Sequence, residues 1–256
     1  INGGTSGLMS NVKIRKAISY SIDREEMIDA VYGRYNPAYS YVAPAITFNG
    51  SSYRSQVGEV IEDEYNEYVG DPDKIVALFQ EGLDELGVET PIEDITLTYL
   101  TSGSTTEVQA EREYIQQSLE ETLGLTVELS VAGDNSLFIA DRNEGNYDFF
   151  LGGWYSDYND PLDFLYTNYT DAYGMSFGGY SNTDYDALAD QLVGETDMDK
   201  RLDIYKQMEQ ILLLDDCAFA PIYYATKQVL LQNWVKDYRT SVSYTHLRAH
   251  ETDQYL

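Results

Sequence analysis

Helix-like and strand-like patterns of hydrophobic residues alternate through the middle of the chain. Apolar residues recur at every third or fourth position in the helix-like segments, and they alternate with polar residues or form short runs in the strand-like ones. The order strand, helix, strand, helix, strand is typical of a parallel α/β sheet. In chain order the sequence predicts a helix over 71–87, a strand over 95–100, a helix over 107–124, a strand over 125–131, a short helix around 136–143 and a strand over 147–151.

Further helical patterns lie on both sides of this region. Apolar residues keep helical spacing from Ile14 to Ile22, and Asp23 with Glu26 forms a capping box for a second helix that runs to about Tyr32. The remaining predictions are a long loop with short turns over 36–68, amphipathic helices over 184–193 and 197–214, a strand over 219–226 that Pro221 interrupts, and the start of another strand at 229–231.

The strand predicted over 147–151 leads into a candidate ligand-binding segment. Gly152 and Gly153 end the strand and leave no side chain to keep a ligand away from the main chain. Pro161 then starts the next short helix. Because open α/β sheets bind ligands at the carboxyl ends of their strands, we expect the segment between the glycines and Pro161 to face a ligand.

Three aromatic residues surround one carboxylate in this segment. Trp154, Tyr155 and Tyr158 are interleaved with Asp157. Aromatic surfaces around a single acid are suited to a ligand that is largely apolar and has one positive end. The segment contains neither an obvious nucleophile nor a base, so it predicts binding rather than catalysis.

Composition narrows the class of partner. The chain has 256 residues and is 43% hydrophobic, which is enough for one sizeable core or two modest ones. It has 44 acidic residues against 16 Lys and Arg, for a formal charge of −28. Such a surface repels phosphate, so nucleic acid and anionic membranes are poor partners, and its simplest role is solubility. The single cysteine, Cys217, cannot form an internal disulfide and is expected to be a small buried residue.

The C-terminal residues 242–256 differ in character from the rest. Their VSYTHLRAHET segment resembles the translation of a transposase sequencing adapter, and we interpret the tail as non-native read-through. Both histidines, His246 and His250, lie in it. We therefore expect no histidine-based catalysis and no histidine metal site. No cofactor is predicted. The chain also shows no apolar run as long as a membrane span and no signal sequence.

Several motifs together resemble the solute-binding proteins of peptide ABC transporters, the oligopeptide- and dipeptide-binding proteins of family 5. One is G-G-W-x-x-D-Y-x-D-P at 152–161, and no motif is strong on its own. The others follow the order of the family: 12–33, the Pro37–Ala38 pair, 180–193 and 201–225. The resemblance implies a two-lobed α/β fold of the periplasmic-binding-protein-like II type. Residues 1–222 would be mostly the second ligand-binding lobe, 223–241 a return segment to the hinge and first lobe, and the first lobe itself would be missing from this chain.

The same resemblance implies a function. Relatives capture peptides outside the cytoplasmic membrane and deliver them to a membrane-embedded ABC permease with its ATPase subunits. A monomer, lipid-anchored through a missing N-terminus, is expected. Asp157 would pair with the α-ammonium group of the peptide, Trp154 and Tyr158 would line side-chain pockets, and Gly152, Gly153 and Tyr155 would complete the site. Tyr223 and Tyr224 would lie near the mouth of the cleft.

The chain departs from some oligopeptide-binding relatives at two positions. Leu151 stands where some of them have an arginine that helps to hold the carboxylate end of the ligand. Ala225 stands where some have a third tyrosine. Recognition of a ligand carboxylate must then come from elsewhere, or the ligand is longer or is not a peptide.

Other interpretations stay open at this stage. Asp157 could be a capping or turn residue before the Pro161 helix, and Trp154 could be a core residue. We expect Asp160 and Asp163 to cap and flank that helix. Some family members bind other solutes, and an aromatic cleft suits sugars. A glycosidase using Asp157 and Asp160 is an alternative from another class. Calcium at Asp157, Asp160 and Asp163 does not match EF-hand spacing.

For the basic cluster Arg15, Lys16 and Arg24, we favour ion pairs with nearby acids over contacts to a transporter or an anionic ligand.

Overall fold

The computed structural model describes residues 4–172, 179–226 and 229–234. In its first part, polar side chains start the helices where the sequence predicts. The Asp23 carboxylate accepts a hydrogen bond from the backbone N–H of Glu26 at 3.0 Å, as its capping-box position predicts. The elements are α1 (Val12–Tyr20), α2 (Arg24–Met27, continued by a π-helical turn over Ile28–Tyr32), β1 (Asn36–Pro37), β2 (Thr47–Phe48), β3 (Ser51–Ser52), α3 (Tyr53–Val57), α4 (Glu62–Tyr68) and α5 (Pro72–Leu86).

The second part begins after α5, whose two ends follow local chemistry. Asp71 caps it by accepting from the N–H of Lys74, Pro72 occupies its first turn, and Gly87 ends it at a φ of 67°, which favours glycine. The elements that follow are β4 (Thr96–Ser102), α6 (Thr106–Leu123), β5 (Thr126–Ala132), α7 (Asn135–Glu144), β6 (Phe149–Phe150), α8 (Leu162–Leu165), α9 (Thr183–Gln191), α10 (Met198–Gln210, continued by a π-helical turn over Ile211–Asp215) and β7 (Tyr223–Tyr224).

Three parallel strands form the main sheet, in the order β5, β4, β6. Tyr99 of β4 lies opposite Leu129 of β5 on one side and Phe149 of β6 on the other. This confirms the predicted succession of strands and helices. β6 is shorter than the strand predicted over 147–151, because it is at the edge of the sheet and pairs with β4 at two positions only.

The chain forms two hydrophobic cores, each built from segments that are separated in the sequence. The first, which we call the sheet core, forms where α1, α5 and α6 pack with β4 and β5; its buried members include Ile14, Phe79, Leu97, Leu119 and Val127. The second, the helical core, is built by α3, α8, α9 and α10; its buried members include Tyr53, Leu165, Tyr185, Tyr205 and Met208. The predicted helices over 184–193 and 197–214 are confirmed and supply much of the helical core.

The chain passes from one core to the other at defined points. Leu151 packs against the sheet core, whereas Trp154 packs against the helical core. Tyr39 contacts both cores, and a further crossing lies between Phe219 and Ala220. The glycine pair that follows β6 therefore lies where the chain leaves the sheet core for the helical core.

The prediction of a long loop over 36–68 is wrong. The segment contains short strands and helices, and the carboxylate of Glu209 in α10 holds it in place. Glu209 is fully buried and accepts from Arg54 Nη2 at 2.7 Å, from the N–H of Val42 at 3.0 Å and from the hydroxyl of Tyr53 at 3.0 Å. This partner lies 155 residues beyond Arg54, so no local pattern could have revealed it.

The basic cluster near the N-terminus also differs from the expectation. Lys16 forms the expected ion pair, with Glu64 at 2.7 Å. Arg15 and Arg24 instead donate to backbone carbonyl groups, and Arg24 is fully buried, with its Nε 2.7 Å from the carbonyl of Pro221. Of the three basic residues, only Lys16 therefore behaves as a surface charge paired with an acid.

The C-terminal predictions are only partly met. β7 covers two residues of the strand predicted over 219–226 and pairs antiparallel with β1, which is itself only two residues long. Residues 229–234 contain no strand, so the strand predicted at 229–231 is wrong. The rest of the proposed return segment, 235–241, and the tail at 242–256 lie outside the described residues.

The environment of the single cysteine and the hydrophobicity of the helices can be compared with the expectations from composition. Cys217 is 5% exposed, as expected for a small buried residue, and burial raises the pKa of its thiol to about 11. None of the helices in the described ranges combines the length and the hydrophobicity needed to cross a membrane.

Candidate functional site

The site begins where β6 ends at the carboxyl edge of the sheet. Gly152 and Gly153 are exposed, and their backbone groups make no hydrogen bond to any residue that the structure describes. A Cβ atom added at Gly153 would meet nothing within 4 Å. The chain therefore presents open main-chain donors and acceptors at the edge of a sheet, which is the geometry in which an extended peptide can pair.

The carboxylate of Asp157 is free to meet a ligand. Asp157 is exposed, and its carboxylate accepts no hydrogen bond from the described part of the chain. Its backbone N–H donates to Asp163 Oδ2 at 2.9 Å. The main chain at Asp157 is thus held from inside the protein while its acid group faces solvent.

Capping of the following helix falls to a different aspartate. Asp160 Oδ1 accepts from the backbone N–H of Leu162 at 2.8 Å and from the Tyr205 hydroxyl at 2.9 Å. The sequence interpretation of Asp160 as a capping residue is confirmed. Asp157 does not cap α8.

One aromatic side chain of the segment packs against the protein, and the other two are exposed. Trp154 is half-buried against the helical core, so the core interpretation is correct for part of its ring. Tyr155 and Tyr158 are 70% and 48% exposed. Partial burial, followed by the charges of Asp163, Asp160 and Asp157, raises the pKa of the Tyr158 hydroxyl. The loop is therefore a negatively charged surface with exposed aromatic rings.

A buried aspartate ties this loop to α8. Asp163 is 6% exposed, and its Oδ2 atom accepts from Trp154 Nε1 at 3.0 Å as well as from the Asp157 N–H. Burial raises the pKa of the Asp163 carboxyl, and the two hydrogen bonds act in the opposite direction. Sequence reasoning assigned Asp163 only to flanking the helix. Its position between apolar neighbours, Leu162 and Phe164, was the available sign that it faces inward.

Tyr223 and Tyr224 lie in another part of the fold. The Tyr223 ring stacks on Tyr35 at 5.0 Å and contacts Tyr32 at 5.2 Å. The Tyr224 hydroxyl donates to the carbonyl of Ser40 at 2.9 Å. Neither tyrosine makes a hydrogen bond or ring contact with the 152–158 loop among the described residues, so the structure does not join them to the rest of the predicted site.

The acids of the loop do not form a metal centre. Within the described ranges, no group of three or more His, Cys, Asp or Glu side chains is arranged to hold a metal ion. The glycosidase alternative also loses one of its two acids, because Asp160 is already engaged in capping α8 and in binding Tyr205. What remains is one exposed carboxylate beside exposed rings and open main chain.

Comparison with known proteins gives this arrangement a context. The family model described as "Bacterial extracellular solute-binding proteins, family 5 Middle" matches residues 2–176. The oligopeptide-binding protein OppA of Bacillus subtilis is 31% identical over 237 residues, which are 90% of this chain and 39% of that protein. The dipeptide-binding protein DppE of the same organism is 32% identical over 225 residues, covering 87% of this chain and 39% of that protein.

A solved structure agrees with the sequence comparison. Listeria monocytogenes OppA bound to peptide is 33% identical and superposes with a TM-score of 0.70 over 84% of this chain and 39% of that one. The chain thus spans about two fifths of the length of the curated relatives it matches. These relatives are named as binding proteins rather than enzymes, and the α/β fold is that of the periplasmic binding proteins. The chain belongs to the bacterial extracellular solute-binding proteins of family 5.

Proposed function

We propose that this chain is the second ligand-binding lobe, residues 1–222, of a protein that captures peptides outside the cytoplasmic membrane. Residues 223–241 would return to the hinge and a first lobe. The observation that carries the proposal is the exposed Asp157 carboxylate in the loop after β6, together with Gly152 and Gly153, whose main chain makes no hydrogen bond among the described residues. The names of the OppA and DppE relatives point to the same class of ligand.

Asp157 would recognise the α-ammonium group of the peptide. An exposed ion pair contributes only about 0–1 kcal/mol, because water screens it. Removing one partner from a pair that has been closed off from water costs roughly 2–5 kcal/mol. Since Asp157 is exposed in this chain, strong selection for the ammonium group requires a second surface to cover it. A first lobe closing over the site would provide that surface.

Gly152 and Gly153 would bind the peptide independently of its side chains. Their unpaired backbone groups extend the line of β6, so a peptide could add to the edge of the sheet as a further strand. Trp154, Tyr155 and Tyr158 would then contact peptide side chains of different types. Trapped water would fill the remaining space.

The closed complex would deliver its peptide to an ABC permease with its ATPase subunits. We further propose that the protein acts as a monomer at the outer face of the cytoplasmic membrane, held there by a lipid anchor in a segment that precedes this chain. Its charge of −28 does not suit nucleic acid as a partner.

Calorimetry on the complete gene product and on this chain tests the proposal. We expect a short peptide to bind the complete protein, and the 256-residue chain to bind it at least about tenfold more weakly because half of the cleft is absent. An oligosaccharide is the appropriate competitor class, since the exposed rings of Tyr155 and Tyr158 could also stack on sugars. Binding of the sugar and not of the peptide would overturn the proposed ligand and leave the fold intact.

A further inference from the structure

Two parts of the candidate loop are held by one carboxylate oxygen of Asp163. Oδ2 of Asp163 lies 3.0 Å from the indole Nε1 of Trp154 and 2.9 Å from the backbone nitrogen of Asp157. One atom thus fixes both an aromatic ring of the site and the main chain that carries its acid. Among the residues described here, Gly152 and Gly153 make no hydrogen bond that could share this task.

The residue that supplies this oxygen is itself held firmly. Asp163 is on α8, directly before Phe164 and Leu165, which are 4% and 0% exposed in the helical core. The start of α8 is fixed by Asp160, which accepts from the N–H of Leu162 and is bound in turn by Tyr205 of α10. A helix that is buried and capped therefore presents the Asp163 carboxylate to the loop, at the Trp154 indole and the Asp157 main chain.

We propose that Asp163 is the positioning residue of the peptide site, holding the Trp154 indole and the Asp157 main chain in the arrangement in which Asp157 meets the ammonium group. The inference rests on the proposed function, because it assigns Asp163 a role in the selection of that group. Asp163 does not contact the ligand. It acts through Trp154 and Asp157, and a carboxylate suits this role because an ionised acceptor forms stronger hydrogen bonds than a neutral one.

The first arm of the test requires no ligand. The chain has two tryptophans, Trp154 and Trp234, so its indole N–H groups give two side-chain signals in a ¹H–¹⁵N NMR spectrum, which Trp154→Phe assigns. The titratable side chains that interact with Asp163 are those of Asp157, Asp160 and Tyr158 in its own segment and of Tyr41 in the segment 36–68. We expect the Trp154 signal to shift as the acid at 163 is protonated, and this shift to be lost in Asp163→Asn.

Controls separate Asp163 from its neighbours in this arm. The Asp157→Asn and Asp160→Asn variants should keep the pH-dependent shift of the Trp154 signal. A Trp154 signal that does not respond to pH in the parent chain, or that responds equally in Asp163→Asn, would overturn the proposal. The Trp234 signal serves as the internal reference.

The second arm measures selectivity in the complete protein. The quantity is the ratio of the affinities for a short peptide and for its N-acetylated form. Losing hydrogen bonds to a charged acceptor typically reduces binding by about tenfold or more, so Asp163→Ala should reduce this ratio at least tenfold. Asp163→Asn keeps an oxygen acceptor and should lose less.

Asp148 offers a matched control for simple destabilisation. It is 7% exposed, and its carboxylate accepts from the backbone N–H groups of Ser6 and Thr98. Asp148→Ala should lower stability without changing the preference for the free amine. If Asp163→Ala discriminates as well as the parent, the inference fails and the peptide function stands. If the parent binds neither peptide, the proposed function fails, and the inference fails with it.

Discussion

The buried ion pair between Arg54 and Glu209 should be the most costly polar contact to break in the helical core. Its atoms lie 2.7 Å apart, and the side chains are 7% and 0% exposed. Glu209 also accepts from two backbone N–H groups, those of Tyr41 and Val42, and from the Tyr53 hydroxyl. Replacing Glu209 by Gln would keep the shape and remove the charge that compensates Arg54.

The contacts of Arg54 and Glu209 determine how much stability the Glu209→Gln variant should lose. Removing one partner of a buried ion pair typically costs about 3–5 kcal/mol, because the other charge stays desolvated and unpaired. Arg54 keeps its bonds to the carbonyls of Gly58 and Val42, so we expect Glu209→Gln to lie near the lower end of that range. The Arg54→Met/Glu209→Gln double variant should cost less than the sum of the two single variants by roughly 1–3 kcal/mol.

Urea unfolding followed by circular dichroism measures these values. The control is the pair between Lys13 and Glu81, which has the same separation of 2.7 Å but side chains that are 33% and 60% exposed. Glu81→Gln should leave the free energy of unfolding unchanged within measurement error. A loss below about 1 kcal/mol for Glu209→Gln, or additive single variants, would refute the argument that burial rather than distance decides the cost.

Three further predictions concern a pH effect, packing and a thiol. Burial raises the pKa of the Glu111 carboxyl, so the folded state holds more protons than the unfolded state between the ordinary and the raised pKa. The stability of the parent should therefore fall relative to Glu111→Gln as pH rises through that interval, which urea unfolding at several pH values measures. Gly82→Ala would place a Cβ 2.6 Å from Ile14 Cγ1 and should cost about 1–2 kcal/mol, whereas Gly153→Ala meets no atom and should cost nothing; an equal effect would contradict the packing account. Cys217, with its pKa raised to about 11 and its side chain buried, should react with thiol reagents only on unfolding; fast labelling of the folded chain would contradict its burial.

Local chemistry was enough to predict the elements whose boundaries depend on nearby residues. Asp71 with Pro72 starts α5, and Gly87 ends it, so the sequence locates that helix closely. Gly124 ends α6 in the same way. The parallel pairing of these strands also followed from the sequence, because a strand–helix–strand succession is typical of a parallel sheet.

Local sequence patterns could not predict the elements that are held by residues distant in the sequence. The segment 36–68 was wrongly predicted as a loop, because the residue that binds it, Glu209, belongs to the distant helix α10. Arg24 was predicted to be a surface charge paired with an acid. The carbonyl of Pro221, to which it donates, comes close to it only in the folded chain. A local pattern of charges does not distinguish a solvated arginine from one that binds backbone carbonyls.

In the candidate site, too, the sequence predicted the features that depend on nearby residues and missed a contact that depends on the fold. The motif located Asp157 and Trp154 at the end of a strand, and it correctly gave Asp160 to capping. It did not reveal that Asp163 Oδ2 joins the Trp154 indole to the Asp157 main chain. That contact depends on the path of the loop over α8, which the one-dimensional pattern does not contain.

The measurement that tests the central claim most directly is the affinity of the complete protein for a peptide with a free or an acetylated amino terminus, before and after Asp157→Asn. The matched control is Asp94→Asn, which removes another exposed charge, just before the amino-terminal end of β4. The account predicts that the parent and the control prefer the free amine by roughly 30-fold or more, and that Asp157→Asn largely removes this preference. An undiminished preference in Asp157→Asn would contradict the assignment of Asp157 as the site that selects the peptide amino terminus.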